Sequence, residues 1–273
     1  MHQLKDRNVL VTGAGRGIGK RLAIGFARSG ARLGLLARSK AELDLAHLEI
    51  EHQGGVSIRI RADVTDSEQI SAAVERYRVN YGPPQIAVCA AAMLGPIGSF
   101  LSNSAKAWAE TIGTNLLGVV NVCRAVLPHM VERRSGKIIV LAGRGATEAR
   151  PNFSAYASSE AAVVRFVETL AGEMLDHNIQ VNCMSPGGTY TSMTDEVLRA
   201  GEPAGWKELE EADEIRHTGG VSPDQQIQLA LFLASDQSNH ITGRLIHVND
   251  DWKKLKTSNI QSEIYTLRRV TKI

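Results

Sequence analysis

Cysteine is scarce. The 273 residues hold three, Cys89, Cys123 and Cys183, far apart and each inside an apolar segment. That excludes a disulfide scaffold and reads as a set of reduced thiols. The eight histidines form no H-x-x-x-H pair and none stands near a cysteine at zinc spacing, so a structural or hydrolytic metal site is not expected. Net charge is nearly absent: 31 basic residues against 29 acidic ones leave +2, too little for the field of a nucleic-acid surface. No apolar run approaches the ~18 residues that a membrane span needs. Met1 to Leu10 has no signal-like apolar stretch, which predicts a cytoplasmic protein. No G-x-S-x-G is present, so the strained elbow of a serine hydrolase is missing.

What is present is a 43% hydrophobic chain, long enough to bury a large core without staples. Strand-like and helix-like segments alternate from the start. Short apolar runs at 8–12, 32–37, 56–62, 86–90, 137–142, 179–185 and 245–248 read as strands. Helical spacing occupies 18–29, 40–53, 67–81, 104–131, 153–175 and 223–234, with Gly30 and Gly54-Gly55 at C-cap positions. This βαβα order predicts an α/β fold: a Rossmann-like, doubly wound parallel sheet with helices on both faces, as a single domain over 1–250. Ligands in that architecture bind beyond the carboxyl ends of the strands. Two stretches leave the pattern. Residues 192–220 are polar, with an acidic run from Glu208 to Glu214, and read equally as a substrate lid or as a solvated helix pair. Residues 251–273 form a tail, in which Trp252 and Tyr265 are placed over the pocket or at a subunit interface.

The first strand runs into Thr12-Gly13-Ala14-Gly15-Arg16-Gly17-Ile18-Gly19. The spacing is T-G-x-x-x-G-x-G, not G-x-G-x-x-G. The physics is shared: glycines let the backbone turn tightly against a pyrophosphate, and the next helix offers free N–H groups and a positive dipole end. The second strand ends at Ala37-Arg38, where a carboxylate usually holds an unphosphorylated ribose. Arg38 and Arg16 instead suit a 2′-phosphate, because a guanidinium grips phosphate through two N–H groups. NADP(H) is thus expected in preference to NAD(H).

The eight-residue turn, its position and the chain length resemble the short-chain dehydrogenase/reductase family, over about Lys5 to Val248. Asp63-Val64 resembles that family's adenine-contacting pair, Asn115 its helix asparagine, and Tyr156 its catalytic tyrosine. Pro186-Gly187 followed by Thr191 resembles its nicotinamide-holding P-G-x-x-x-T, and Ile241-Thr242-Gly243 precedes the last strand in the same way. The resemblance implies cofactor contacts from Gly13, Gly15, Arg16, Gly17, Ile18, Gly19, Arg38, Asp63, Val64, Ala90, Asn115, Tyr156, Pro186, Gly187, Thr189 and Thr191. It also implies a small-molecule substrate, and a homodimer or homotetramer built on the helices at 104–131 and 153–175.

The chain departs from the family at its chemistry. The lysine four residues after the tyrosine is Glu160, the serine thirteen before it is Gly143, and Asn-Asn-Ala-Gly after the fourth strand is Cys89-Ala90-Ala91-Ala92. A nearby anion raises a phenol's pKa and a cation lowers it. With Glu160 one helical turn away, Tyr156 is a better proton donor than base, which favours carbonyl reduction over alcohol oxidation. Glu160 is read as a ribose or substrate contact, with a solvent-facing position as the alternative. Arg144, next to the missing serine, is the candidate replacement cation, with Arg150 close in sequence. The expectation is an atypical NADP(H)-dependent oxidoreductase acting on a small to medium polar substrate. Its rivals are a cofactor-binding protein without redox turnover and an isomerase, epimerase or lyase working through Glu160 or Tyr156.

Overall fold

The computed structural model describes residues 3–256 and 264–268. Within them the expected alternation is present. β1 (Asn8–Thr12) is followed by α1 (Gly17–Arg28), β2 (Arg32–Ala37), α2 (Lys40–His52), β3 (Val56–Arg61), α3 (Ser67–Tyr81) and β4 (Ile86–Cys89). The second half runs α4 (Ala105–Ile112), α5 (Gly118–Arg133), β5 (Gly136–Leu141), α6 (Ser154–Glu173), β6 (Ile179–Ser185), α7 (Ser192–Ala200), α8 (Trp206–Thr218), α9 (Pro223–Ala234) and β7 (Leu245–His247). The strands form one parallel sheet in the order β3-β2-β1-β4-β5-β6-β7. The order reverses between β1 and β4, so the crevice forms there, beyond Thr12 and Cys89.

Local signals explain the helix starts. Ser39 accepts the Glu42 N–H at the head of α2, and Asp66 accepts those of Glu68 and Gln69 at the head of α3. The sheet buries both faces. Leu22, Phe26, Leu43, Ile50, Leu229 and Phe232 of α1, α2 and α9 cover one face. Ile70, Val74, Tyr77, Val122, Val126, Val163 and Val167 of α3, α5 and α6 cover the other. A smaller cluster gathers Leu94, Phe153, Tyr156, Val197, Ala204 and Ala212 beneath α7 and α8.

The helix expected at 104–131 is not uniform. Ser104 caps it by accepting the Ala107 N–H, and between α4 and α5 the chain makes a π-turn at Gly113–Leu117. Such a turn admits one extra residue and is frequent at functional sites. The combined run Ala105–Arg133 is long and apolar enough to cross a membrane by those measures, with mean hydropathy 1.2 in its most apolar window. Val119, Val122, Cys123, Val126 and Met130 are instead packed into the core.

The 192–220 segment is a helix pair, α7 and α8, whose inner side meets the third cluster. In the tail, Trp252 stacks on Phe232 of α9 with ring centroids 5.3 Å apart. The Tyr265 carbonyl accepts the Leu245 N–H of β7 at 2.8 Å, so this part of the tail lies against the sheet edge rather than over the crevice. The rest of the tail call, 257–263 and 269–273, lies outside the described residues.

Candidate active site

β1 and β4 are stapled at the reversal point. The Thr12 hydroxyl accepts the Ala90 N–H at 3.2 Å and the Ala91 N–H at 3.4 Å. The glycine turn follows. A Cβ on Gly13, at φ +65°, would stand 2.8 Å from the Ala90 backbone, and a Cβ on Gly19 would overlap the Gly13 carbonyl. Neither obstacle can move, so these positions require glycine. At the head of α1, Arg16 is extended and provides no side-chain cap, which leaves the first N–H groups of the helix without a side-chain acceptor. A cavity of about 500 Å³ opens in front of this turn. It is large enough for a bound cofactor. A tight glycine turn, an uncapped helix start and a cavity of that size together fit a dinucleotide diphosphate.

One end of the cavity is formed by the ends of β2 and β3. Arg38 lies 3.7 Å from Asp63 and Arg16 lies 3.8 Å from Glu42. Both guanidiniums are well exposed, and ion pairs this long and wet contribute little. Asp63 also accepts the Thr65 N–H and hydroxyl, which fixes the loop carrying Val64. Ile18, Gly15, Gly17 and Ala90 line the same cavity, and so do Pro186 and Thr191 at its other end.

The other end holds Tyr156 and Glu160. Tyr156 and Glu160 lie on the first turns of α6, buried to 7% and 3% exposure. Glu160 is therefore not a solvent-facing helix residue. Its carboxylate accepts the Gly143 N–H at 2.5 Å, so Glu160 and Gly143 bond to each other. A Cβ on Gly143 would overlap the Tyr156 hydroxyl. Glycine at 143 thus makes room for the hydroxyl. Burial first, and the neighbouring Glu160 second, hold the Tyr156 phenol well above its usual range. Burial pushes the Glu160 carboxyl up to about 7, against the pull of the Gly143 N–H and Arg150.

Asn115 lies in the π-turn, but its side chain is occupied. It accepts the Met93 N–H, donates to the Met93 carbonyl and donates to the Ser159 hydroxyl, all at 2.9 Å. Ser159 in turn donates to the Tyr156 carbonyl at 2.7 Å. Asn115 thus ties the loop after β4 to α6, and its neighbour Thr114 is the residue that lines the cavity. Gly187 and Thr189 also stand apart from the first cavity. They line a second one, and Thr189 takes a 2.8 Å bond from Arg21 and bonds to the Gly219 and Val221 carbonyls at the far end of α8.

The second cavity, about 600 Å³, lies beneath α7 and α8 and shares Tyr156 and Gly143 with the first. Arg144 faces it, but is claimed by Glu208, Glu211 and Glu148. Arg150 is the cation that reaches the tyrosine: its guanidinium lies 4.1 Å from the Phe153 ring centroid and 5.3 Å from that of Tyr156, with Glu208 at 2.8 Å. Sequence reasoning missed Glu208 and Glu211 as site residues. Their i, i+3 spacing on one face of a helix was readable, but the loop that they face was not.

A sequence model of the short chain dehydrogenase family matches residues 7–201. The chain belongs to that family. Among its relatives, "Oxidoreductase UcpA" of Salmonella typhimurium is 36% identical over 248 residues, spanning 89% of this chain and 93% of that one. A 2,3-dihydro-2,3-dihydroxybenzoate dehydrogenase of Bacillus subtilis is 33% identical, over 88% and 93% of the two chains. The solved structure of a gluconate 5-dehydrogenase from Burkholderia cenocepacia, in complex with NADP and tartrate, superposes with a TM-score of 0.80 at 26% identity, covering 90% of this chain and 94% of the other. The chain is accordingly an oxidoreductase of the short-chain, NAD(P)-binding type with the Rossmann-like single-domain fold.

Proposed function

We propose that this short-chain enzyme reduces a carbonyl on a small to medium polar substrate, with NADP(H) preferred over NAD(H), through an altered proton-transfer site. One observation carries the reading: Tyr156 lines both of two cavities, one walled by the glycine turn and one by α7 and α8. A bound dinucleotide would supply the hydride, and the glycine turn, Asp63, Val64, Pro186 and Thr191 are the residues that would hold it. Arg38 and Arg16 support the NADP(H) preference, since their long, exposed pairs with Asp63 and Glu42 yield readily to a 2′-phosphate. Tyr156, kept protonated by burial and by Glu160, donates its proton to the carbonyl oxygen as that oxygen becomes a hydroxyl. Arg150, beside the ring, steadies the phenolate left behind. Glu160 holds the Gly143 amide and does not replace the family's lysine as a cation. Asn115 supports the site through Met93 and Ser159. The exposed Leu117 side of the α4–α5 run, with α6, is proposed as the oligomer contact, and the cytoplasm as the compartment.

The test is NADPH consumption over a panel of ketones and keto-sugars, with Tyr156→Phe as control. Turnover lost in the variant supports the reading. Tight NADPH binding with no turnover on any carbonyl would contradict it and favour a cofactor-binding protein without redox activity. Isomerase, epimerase or lyase chemistry would rest on the near-neutral Glu160 carboxyl, and would show as substrate conversion without NADPH consumption.

A further inference from the structure

The second cavity has an unusual charge inventory. Arg144 spends all three of its guanidinium nitrogens: Nη1 on Glu211, Nη2 on Glu208, and Nε on Glu148 at 3.3 Å. Arg150 gives Nε and Nη2 to the same Glu208 oxygen, at 3.2 and 2.8 Å. Three carboxylates therefore face two guanidiniums, which leaves one surplus negative charge and no free two-pronged cation. The remaining basic side chain of the lining, His247, is engaged through Nδ1 with the Asn249 N–H. Glu148 and Glu211 each keep one carboxylate oxygen that accepts no hydrogen bond from the described residues. Tyr156, more than nine-tenths buried, lines the same cavity, and its hydroxyl has no hydrogen-bond partner among the described residues.

A carboxylate or phosphate entering this cavity has to displace the largely covered Glu208 from its two arginines or lie beside the surplus charge. Like charge in either place disfavours an anion. A hydroxyl group meets neither obstacle, because the open glutamate oxygens are strong acceptors. We propose that the substrate is a neutral, hydroxyl-rich carbonyl compound whose hydroxyls donate to Glu148 and Glu211, and that the matching sugar acid is selected against. The inference rests on the reading of Tyr156 as proton donor and adds the substrate class.

The experiment compares a neutral ketose with the keto acid of the same carbon skeleton. Saturating NADPH is used, and kcat/KM is read for the parent, Glu148→Gln and Glu211→Gln. Both glutamates are partly exposed, so neither variant threatens folding. The parent should favour the ketose by about 10-fold or more. Each variant should shrink that ratio several-fold, mainly by lowering KM for the keto acid. Binding of the same pair to NADPH-loaded Tyr156→Phe, by calorimetry, reads the preference without turnover, so failure of hydride transfer is distinguished from failure of the charge argument. A keto acid that is used or bound as well as its neutral partner, binding of neither, or a ratio unmoved by both substitutions would overturn the proposal.

Discussion

Glu160→Gln gives the sharpest test of the altered site. Glu160 is buried, and its carboxyl is pushed from the ordinary 4.5 up to about 7. In the unfolded chain that carboxyl ionises at its ordinary value. Between about pH 4.5 and 7 the folded state keeps a proton that the unfolded state has released, so stability falls as pH rises across that window. Below it the group costs nothing. Above it the full penalty applies, on the order of 3 kcal/mol. Glutamine retains an oxygen for the Gly143 N–H but carries no charge to bury. The variant is therefore expected to exceed the parent by a few kcal/mol near pH 8, which is several degrees in Tm for a chain of this length. The two should converge near pH 5. Urea or thermal unfolding at a series of pH values reads the difference directly. A gap that is the same at both ends of the range, or a variant less stable than the parent near pH 8, refutes the reasoning.

Four further substitutions probe separate parts of the site. Arg38→Asp should weaken NADPH binding by about 10-fold or more while changing NADH binding little, read by fluorescence titration; equal losses would remove the 2′-phosphate argument. Gly143→Ser, which restores the family's residue, should destabilise the fold by about 1–3 kcal/mol and lower turnover, because its Cβ meets the Tyr156 hydroxyl. Gain of activity with unchanged stability in that variant would show that the phenol does not occupy that place. Arg150→Met should lower kcat by about 10-fold or more, because a cation beside the phenol is lost. Arg144→Met, which unlatches α8 from the loop after β5, should act mainly on KM; identical effects of the two would deny Arg150 a distinct part.

The alternation of apolar strands and periodic helices was legible in the chain because each element buries a simple face. The glycine turn was legible because its sterics are local: Gly13 and Gly19 are fixed by backbone atoms within the turn and at the adjacent strand end. The fate of Asn115 was not. Its type and place pointed to the site, yet its hydrogen bonds go to Met93 and Ser159, contacts that only the packed π-turn creates. The choice between Arg144 and Arg150 was hidden for a similar reason. Proximity in sequence to the vacant serine position favoured Arg144, but acidic side chains from α8, more than sixty residues on, engage it and leave Arg150 to face the ring. The link between Gly143 and Tyr156 was also invisible, since it depends on a clash between a side chain that is absent and a hydroxyl thirteen residues away.

The central claim is that the turn from Thr12 to Gly19, with Arg16 and Arg38 beside it, receives a phosphorylated nicotinamide dinucleotide. Calorimetric titration of the purified, folded protein with NADPH and with NADH measures this without reference to any substrate. Saturable uptake of NADPH, near one molecule per chain and tighter than NADH, is the expected result. Heat from neither coenzyme would contradict the account at its root.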